Sequence, residues 1–549
     1  MVKNFDKLFK STLKKIYILP EYHNGRDKSA YAKAMARQSP PSPFGLRRDK
    51  AKSDLAKEEK MVKQILGPIQ DWQKEKELLV IGFFEEEQLI GSELGKRMLD
   101  ELSNGNYHIL EDFKGKFGQK ALTHRMWPKR LLFVGLGKKE DFTIEKHREI
   151  AGQIARHIRD MGIKSFSTEI FGNDLNPERI KAQIEGQGIG LYRFEDFKKF
   201  PNQVEEIKIL APMPDVKTEE AFKQALTIVE AVCFVRNLIN SPADKMGPQK
   251  LAYAAQKTGD ELTPKIKVQV YDATELEDRK MNLILAVGKG SENKPRLIEM
   301  EYKPKNHQNK KPYVLVGKGV CFDSGGLQIK DASSMIGMHT DMAGAAVVIG
   351  TLKTIANMNL PLWIVGLTPI VENMPSAGSY KPGDILRAYN GKTIEIAHTD
   401  AEGRLILFDA MAYAKEKYNP CLIADIATLT GACKVALGEH YAGLFGNSQK
   451  FLRKIKKAGK ESGDKVWEMP IGEEYLEEMK SEVADLKNSG PRWGGAITGA
   501  CFLQEAVGEK QPWIHLDIAG AGRIDVIGKA TGFGLRLFVQ FFLNEIKSA

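Results

Sequence analysis

Residues 313–326, YVLVGKGVCFDSGG, combine two features that decide the class of fold. The first four residues are an apolar run typical of a buried strand, and the glycine-rich segment that follows carries Lys318 and Asp323. Similar apolar runs recur at 267–271, 283–287, 362–367, 422–426 and 514–518, and helical patterns lie between them. Such alternation predicts an α/β domain with a parallel or mixed sheet covered by helices on both faces. In these sheets the chemistry takes place where strands end.

A second, N-terminal α/β domain is predicted over residues 65–215. Apolar runs at 78–84, 130–137 and 207–212 are typical of strands, whereas 92–102 and 143–161 have helical periodicity. The glycines of Gly186-Gln-Gly-Ile-Gly190 do not complete a nucleotide-binding GxGxxG pattern, and we interpret them as turns at strand ends. A helical pattern over 216–242 ends at Asn-Ser-Pro and predicts a linker helix, after which residues 243–549 form the larger domain.

The net charge of +10 comes almost entirely from the first 60 residues. These contain 15 Lys/Arg and 7 Asp/Glu, a net charge of +8, so the other 489 residues, with 66 and 64, carry only +2. Apolar residues at 5, 8, 9, 13 and 16 alternate with lysines as in a basic amphipathic helix, and a frayed, solvated tail is the alternative. We therefore predict a basic, largely disordered or amphipathic tail over 1–64. Nucleic-acid binding is not expected of the remainder.

Several classes of protein are excluded by composition. No apolar run approaches the roughly 18 residues of a membrane span, and the opening lacks the pattern of a secretory signal. The odd number of cysteines and their scattered positions predict buried thiols in a reducing compartment: Cys233, Cys321, Cys421, Cys433 and Cys501. We expect a cytoplasmic location, or a mitochondrion or other organelle if residues 1–60 act as a presequence.

Acidic residues beside glycines mark three segments of the larger domain. They are residues 316–326, Met338-His-Thr-Asp-Met-Ala-Gly344 and His398-Thr-Asp-Ala-Glu-Gly-Arg-Leu405. Clustered carboxylates repel one another, and a bound divalent metal relieves that repulsion. In the alternative interpretation each acid is isolated in a turn, and Asp400 caps a helix over 402–418. If residues 400–404 are instead extended, Asp400, Glu402 and Arg404 project to one side. HExxH, GxSxG, phosphate-loop and kinase signatures do not occur.

Together the three segments resemble the signatures of the leucyl (cytosol) aminopeptidase family of dinuclear metallopeptidases. That family reads close to VGKGxxFDSGGxxxK, MxxDMxGAA and NTDAEGRL, and the resemblance extends over about residues 70–549. It implies a macro-like N-terminal α/β domain joined by a helix to the catalytic α/β domain. It also implies a homohexamer that acts on short peptides with a free N-terminus. The apolar stretches 493–503 and 533–543 suit either a subunit contact or a two-sided core.

The resemblance also assigns metal ligands. It implies that two divalent ions, Mn²⁺, Zn²⁺ or Mg²⁺, are bound and that Asp323 and Glu402 bridge them. A lysine ligates only as the neutral amine, so metal binding would be coupled to loss of its proton. The implied ligands are Lys318, Asp323, Asp341, Asp400 and Glu402.

Two further positions match the family's catalytic residues. Lys330 would polarise the scissile carbonyl, and Arg404 would hold a bicarbonate ion that serves as general base for an attacking water. An apolar Met338 suits a pocket for a Leu-like first residue, and a methionine packed in the core is the alternative. The implied substrate-binding residues are Met338, Thr428, Leu429 and Gly431.

His398, His339 and Asp331 depart from the family's pattern, which leaves substrate preference and metal identity open. The resemblance implies a metal-dependent aminopeptidase of peptide catabolism, a hydrolase that removes an N-terminal residue, Leu-like by preference. The alternatives are a DNA-binding or architectural relative of the aminopeptidases, or a dipeptidase on the same scaffold.

Overall fold

The structure is a computed structural model that describes residues 61–75, 77–86, 89–103, 112–125, 128–212, 214–522 and 529–547. The amphipathic helix predicted near the N-terminus lies outside the described residues. Among the helices within these ranges, none combines the length and the apolar character that crossing a bilayer requires.

The N-terminal domain is organised around a largely parallel sheet. Its strands, in the described residues, are β1 (Lys63–Pro68), β2 (Leu78–Phe84), β3 (Ile90–Gly91), β4 (Lys120–His124), β5 (Arg130–Gly137), β6 (Ser165–Glu169) and β7 (Glu206–Ala211). They are ordered β1-β7-β6-β2-β5-β4, with β3 beside β2, and only β3 and β4 run antiparallel to their neighbours. One face is covered by α1 (Glu93–Ser103), and the other by α2 (Ile144–Asp160) and α3 (Pro177–Leu191).

The glycines at 186–190 lie inside α3, so their interpretation as turns was wrong. Gly186 and Gly190 are required by the close packing of α3 on α2. A Cβ atom at Gly186 would lie 2.2 Å from the carbonyl oxygen of Arg148, and one at Gly190 would lie 2.8 Å from the Cα of Gly152. Glycine at these positions allows the two helices to approach each other closely. It is not needed for a special backbone conformation.

A single long helix, α4 (Val216–Asn240), joins the two domains. Its N-cap residue is Asp215, whose carboxylate accepts a hydrogen bond from the Thr218 N–H at 2.8 Å. Ala225 of α4 belongs to the core of the N-terminal domain, whereas Val235 belongs to the core of the C-terminal domain. Because one rigid helix contributes to both cores, it connects the domains through packing as well as through the chain.

The C-terminal domain is organised around a mixed sheet of nine strands in the described residues. They are β8 (Ile266–Tyr271), β9 (Arg296–Tyr302), β10 (Tyr313–Gly317), β11 (Gly319–Asp323), β12 (Ile364–Asn373), β15 (Leu422–Ala427), β16 (Ala442–Gly446), β17 (Val466–Glu468) and β19 (Trp513–Asp517). The order is β17-β16-β19-β15-β10-β12-β9-β8, with β11 beside β12. The central strands β12, β10, β15 and β19 are parallel. A small sheet contains β13 (Ile385–Arg387), β14 (Thr393–Glu395) and β18 (Leu486–Lys487).

Helices cover both faces of this sheet. One core contains residues of α5 (Pro248–Glu261), α9 (Ala343–Asn357), α12 (Gln449–Ser462) and α15 (Leu535–Lys547). The opposite core contains residues of α6 (Ala273–Asp278), α7 (Asn282–Gly288), α10 (Glu402–Tyr418), α11 (Gly431–Leu437) and α14 (Gly495–Val507). Two short helices, α8 (Ala332–Met335) and α13 (Glu473–Glu477), lie in connections. This architecture confirms the predicted fold class of two α/β domains joined by a helix.

One predicted strand was wrong, because residues 283–287 form most of α7. An apolar run of five residues does not distinguish a buried strand from a buried helix. The helix begins where the Asp409 carboxylate accepts hydrogen bonds from the Leu283 and Ile284 N–H groups, at 2.8 and 3.3 Å. That capping group comes from α10, more than 120 residues further along the chain, so no local pattern indicates it.

The apolar stretches near the C-terminus pack inside their own chain. Phe502 of α14 and Phe541 and Phe542 of α15 are almost fully buried in the two cores of the C-terminal domain. Of the two uses considered for these stretches, the two-sided core accounts for most of their apolar residues. Trp493, just before α14, is an exception, with 78% of its surface exposed.

Candidate metal centre

The three acidic segments meet at one edge of the nine-stranded sheet. Lys318 directly follows β10, Asp323 ends β11, and Thr428 directly follows β15. Since parallel strands place their carboxyl ends at the same edge, these residues become neighbours there. Asp341 follows the single 3₁₀ turn Met338–Thr340, and Glu402 begins α10. The topology thus brings together residues that are more than 100 positions apart in the chain.

Lys318 lies at the bottom of the site, almost fully buried. Its Nζ is 2.8 Å from Asp341 Oδ2 and 2.9 Å from Glu402 Oε1. It also donates a hydrogen bond to the Thr428 carbonyl oxygen at 2.9 Å. Burial alone would lower the pKa of Lys318, but Asp341, Glu402 and Asp323 outweigh it and raise the pKa above its ordinary value. Lys318 is therefore protonated unless a metal ion displaces its proton.

Lys330 makes a second pair of contacts between an ammonium group and carboxylates. Its Nζ lies 2.8 Å from Asp323 Oδ2 and also pairs closely with Asp400. Burial opposes the charge of Lys330, but Asp323, Glu402 and Asp400 raise its pKa. The two lysines therefore place positive charge between carboxylates at two adjacent points.

The carboxylates fit a divalent cation. Asp323, Asp400 and Glu402 each offer a ligand oxygen, and these three atoms lie within 4.8 Å of one another. Glu402 Oε2 is buried and, within the described part of the chain, accepts no hydrogen bond. Buried carboxylate oxygens need a partner, and hard oxygen donors suit Mg²⁺, Mn²⁺ or Zn²⁺. Asp341, bonded to Lys318 and to the Thr428 hydroxyl at 2.6 Å, completes a set of four acids.

Electrostatics supports the same conclusion. Burial raises the pKa of Asp341, and the charges of Asp323 and Glu402 raise it further, against the opposing effect of Lys318. The pKa of Asp400 is raised by burial, Glu402 and Asp323 in the same way. Four carboxylates faced by two ammonium groups leave an excess of negative charge, which a bound cation would neutralise.

Arg404 lies on the first turn of α10, beside the carboxylates. It is buried, and its Nη1 donates a hydrogen bond to the Asn488 carbonyl oxygen at 2.9 Å. Burial lowers the pKa of Arg404 to about 10, which still leaves it charged at neutral pH. A Cβ atom at Gly499 would lie 3.4 Å from Arg404 Nη2 and 3.5 Å from Leu429 Cδ2. The absence of a side chain at Gly499 leaves space beside the guanidinium group.

The residues predicted to bind substrate lie around this centre. Thr428 contacts it directly, through its carbonyl to Lys318 and its hydroxyl to Asp341. Leu429 is partly exposed next to Arg404, and Met338 is partly buried at the start of the turn that leads to Asp341. Gly431 begins α11, and a Cβ atom there would meet nothing within 4 Å.

Two alternative interpretations of residues 400–404 are wrong. The stretch is not extended, because α10 begins at Glu402 and includes Arg404. Asp400 does not cap this helix either: the N-cap residue is Ala401, and no side chain caps it. The Asp400 carboxylate points to Lys330 instead.

The two histidines that depart from the family's pattern have different surroundings. His398 Nδ1 accepts a hydrogen bond from the Asp400 N–H at 3.1 Å, and burial, followed by the charge of Lys330, lowers the pKa of His398. His339 is buried within the 3₁₀ turn that precedes Asp341. The site therefore tolerates His398 as a neutral side chain that supports the Asp400 backbone.

Sequence reasoning missed two polar residues that support the site. Asn373 ends β12, and its Nδ2 donates hydrogen bonds to Asp323 Oδ1 at 2.9 Å and to the Thr399 carbonyl at 3.0 Å. Asp517 ends β19 and accepts hydrogen bonds from the Leu429 N–H at 3.2 Å and the Thr430 hydroxyl at 2.7 Å. A polar residue at the end of an apolar run was the signal that could have found both.

The fold and the site together define a class of protein: a two-domain α/β protein with a candidate metal centre of carboxylates and lysines. Residues 233–539 match the catalytic domain of the Cytosol aminopeptidase family, and residues 80–201 match its N-terminal domain. The chain belongs to this family, and it is a metal-dependent aminopeptidase. The DNA-binding and dipeptidase alternatives are not favoured.

Relatives of similar length support this assignment. The chain is 40% identical over 486 residues to a probable cytosol aminopeptidase of Geobacter sp. (strain M21), an alignment that covers 85% of this chain and 96% of the relative. It is also 40% identical over 493 residues to one of Cenarchaeum symbiosum (strain A), with 87% and 99% covered.

Solved structures have the same fold. A mutant of tomato leucine aminopeptidase has a TM-score of 0.79 at 33% identity, and 88% of this chain and 96% of that chain are covered. The bottromycin maturation enzyme BotP in complex with Mn has a TM-score of 0.75 at 28% identity, with 85% and 99% covered. Both this likeness and the carboxylate cluster support a divalent metal cofactor.

We predict that Gly403→Ala impairs metal binding without unfolding the protein. A Cβ atom at Gly403 would lie 2.3 Å from Lys318 Cε and 2.6 Å from its Nζ, so the lysine would have to move away from Asp341 and Glu402. We expect Mn²⁺ affinity, measured by calorimetric titration, to fall by about 10-fold or more. Gly378→Ala is the matched control, because its nearest neighbour would lie at 3.6 Å. Equal Mn²⁺ affinity in the two variants would contradict the prediction.

Proposed function

We propose that Lys318, Asp323, Asp341, Asp400 and Glu402 would hold two divalent ions, Mn²⁺, Zn²⁺ or Mg²⁺, with Asp323 and Glu402 as central ligands of the cluster. The proposal is carried by one observation, the largely buried cluster of carboxylates whose charge two lysines balance only in part. Bound ions would act as Lewis acids and lower the pKa of a water molecule, which makes water a nucleophile near neutral pH. Lys318 would exchange its proton for the metal, so metal uptake would release a proton.

We further propose that Lys330 and Arg404 are the catalytic residues. Lys330 carries a positive charge at the rim of the cluster, where it would stabilise negative charge on the carbonyl oxygen of the scissile peptide bond. Arg404 would hold a bicarbonate ion, a group that would supply the general base of the reaction. The space beside Gly499 and the charge of the buried guanidinium support an anion at this position.

We propose short peptides with a free N-terminus as the substrates, with a Leu-like first residue preferred. Met338, Thr428, Leu429 and Gly431 would line the pocket for that residue. The apolar side chains of Met338 and Leu429, partly exposed beside the site, support a preference for an apolar side chain. The name cytosol aminopeptidase, which the relatives bear, supports a cytoplasmic location.

We also propose that the protein is a homohexamer, as the resemblance implies. Within the described residues, several large apolar side chains of the C-terminal domain are exposed, including Val435 (90%), Trp493 (78%) and Trp467 (60%). Exposed apolar residues of this size are often covered by another subunit.

The proposed reaction requires both a divalent metal and a free amine. We predict that leucyl amide is hydrolysed in the presence of Mn²⁺ or Zn²⁺, whereas its N-acetyl derivative is not. Exhaustive chelation should abolish the rate, and addition of metal should restore it, because the carboxylate cluster suits hard divalent ions. Undiminished turnover after chelation, or equal rates on the two substrates, would refute the proposed function.

We predict that Lys330→Ala lowers kcat by about 10²- to 10³-fold, as expected for loss of one group that stabilises an oxyanion. The metal content, measured by mass spectrometry, should not change, because Lys330 is not among the proposed ligands. Lys305→Ala, an exposed lysine outside the site, is the control. An unchanged kcat would remove Lys330 from the mechanism, and loss of metal would make its role structural.

The hexamer can be tested by light scattering. We expect a mass near six chains at micromolar concentration, because the exposed apolar residues would be buried between subunits. A monomer with full activity would show that neither the site nor the fold needs the assembly.

A further inference from the structure

Asn488 is a fully buried residue for which the sequence predicts no individual role. Its side-chain oxygen accepts hydrogen bonds from the N–H groups of Ala397 at 2.8 Å and His398 at 3.1 Å. Its side-chain nitrogen donates to the carbonyl oxygens of His398 at 2.7 Å and Ala401 at 3.4 Å. One side chain is therefore hydrogen-bonded to the backbone on both sides of Asp400.

The backbone of Asn488 makes two further hydrogen bonds, one before this segment and one after it. Its N–H donates to the carbonyl oxygen of Glu395, the last residue of β14, at 3.0 Å. Its carbonyl oxygen accepts the hydrogen bond from Arg404, at 2.9 Å. This one residue thus holds the chain from the end of β14 to the first turn of α10, and Asp400 and Glu402 lie between these two points.

Asparagine suits this position chemically. A carboxamide offers two acceptor sites and two donors in one plane, and here all four are used. The backbone of 397–401 has no regular structure, and α10 begins without a side-chain cap. The middle of the segment is held separately, because the Thr399 N–H donates to Gln328 Oε1 at 2.7 Å. Asn488 holds the two ends.

We propose that Asn488 is a positioning residue for the aminopeptidase reaction, because it fixes Asp400 and Arg404 relative to Lys330 and the other carboxylates. The proposal rests on the roles given to these residues under the proposed function. Removal of a group that hydrogen-bonds to a metal ligand and orients it typically lowers metal affinity or activity by about 10- to 100-fold.

Asn447 offers a matched control away from the site. Its Nδ2 donates to the carbonyl oxygens of Gly508, Glu509 and Gln511, at 3.4, 3.3 and 2.9 Å. Its Oδ1 accepts a hydrogen bond from the Trp513 N–H at 2.8 Å. Like Asn488, it holds a connecting segment with four side-chain hydrogen bonds, but that segment leads into the start of β19, whereas the metal centre lies at the carboxyl ends of the strands.

The test compares Asn488→Ala with Asn447→Ala in the full chain loaded with Mn²⁺. The measurements are the unfolding midpoint, the Mn²⁺ dissociation constants by calorimetry, and kcat and KM on leucyl p-nitroanilide. We expect both variants to unfold at a lower temperature. We expect only Asn488→Ala to lose about 10- to 100-fold in kcat or in Mn²⁺ affinity, with a smaller change in KM because the pocket for the substrate side chain is untouched. Wild-type kcat and Mn²⁺ affinity in Asn488→Ala would overturn the proposal.

Two more variants keep the test decisive. If Asn488→Ala does not fold, Asn488→Asp keeps the shape and both acceptor bonds but loses the two donor bonds. Reduced activity in Asn488→Asp would support the proposal, and wild-type activity would contradict it. Asp400→Ala separates the two levels of inference: an active Asp400→Ala enzyme would overturn the role of Asp400 itself. An inactive one, beside a fully active Asn488→Ala, would overturn only the role of Asn488.

Discussion

Mutual repulsion among four clustered carboxylates is the constraint on which the rest of this structure depends. Asp323, Asp341 and Glu402 are buried at one sheet edge and Asp400 is partly buried beside them, so they lose much of the solvation that would otherwise stabilise their charges. The arrangement persists because Lys318 and Lys330 each contact two of them. Such a cluster costs stability unless cations neutralise it, and this explains how the same residues favour a divalent metal.

Bringing these charges together requires an unusually close approach of the backbone. Gly344 lies where a Cβ atom would be 2.1 Å from the Ile426 carbonyl oxygen, and Gly403 lies where it would collide with Lys318. Both glycines allow α9 and α10 to begin against the ends of β10 and β15. Asparagines then complete the site: Asn373 links the Asp323 strand to Thr399, and Asn488 encloses the segment around Asp400. Neutral amides can donate to carboxylates and carbonyls without adding further charge.

Predictions from sequence succeeded where the local pattern was long or repeated. The strand of residues 78–84 was predicted to the residue, because a local apolar run defines it. The helix over 402–418, which the alternative interpretation of the acidic segments contained, has the same bounds in the structure. Residues 283–287 were predicted as a strand and form a helix, since the group that caps it, Asp409, arrives from a distant part of the chain. The interpretation of the glycines of α3 was wrong for a similar reason: the surfaces that require glycine there belong to other elements, such as α2 for Gly186 and Gly190.

The sequence by itself determined the α/β class, the two domains and the residue types of the centre, because strand and helix periodicity and the acidic motifs are encoded over short stretches. Only the tertiary structure decided which side chains touch. Lys318 contacts Asp341 and Glu402, and Asp400 turns to Lys330 instead of capping α10. The supporting roles of Asn373, Asn488 and Asp517 also emerged only there. These contacts join residues up to 110 positions apart, and the order of strands in the sheet, which no local pattern encodes, brings them within hydrogen-bonding distance.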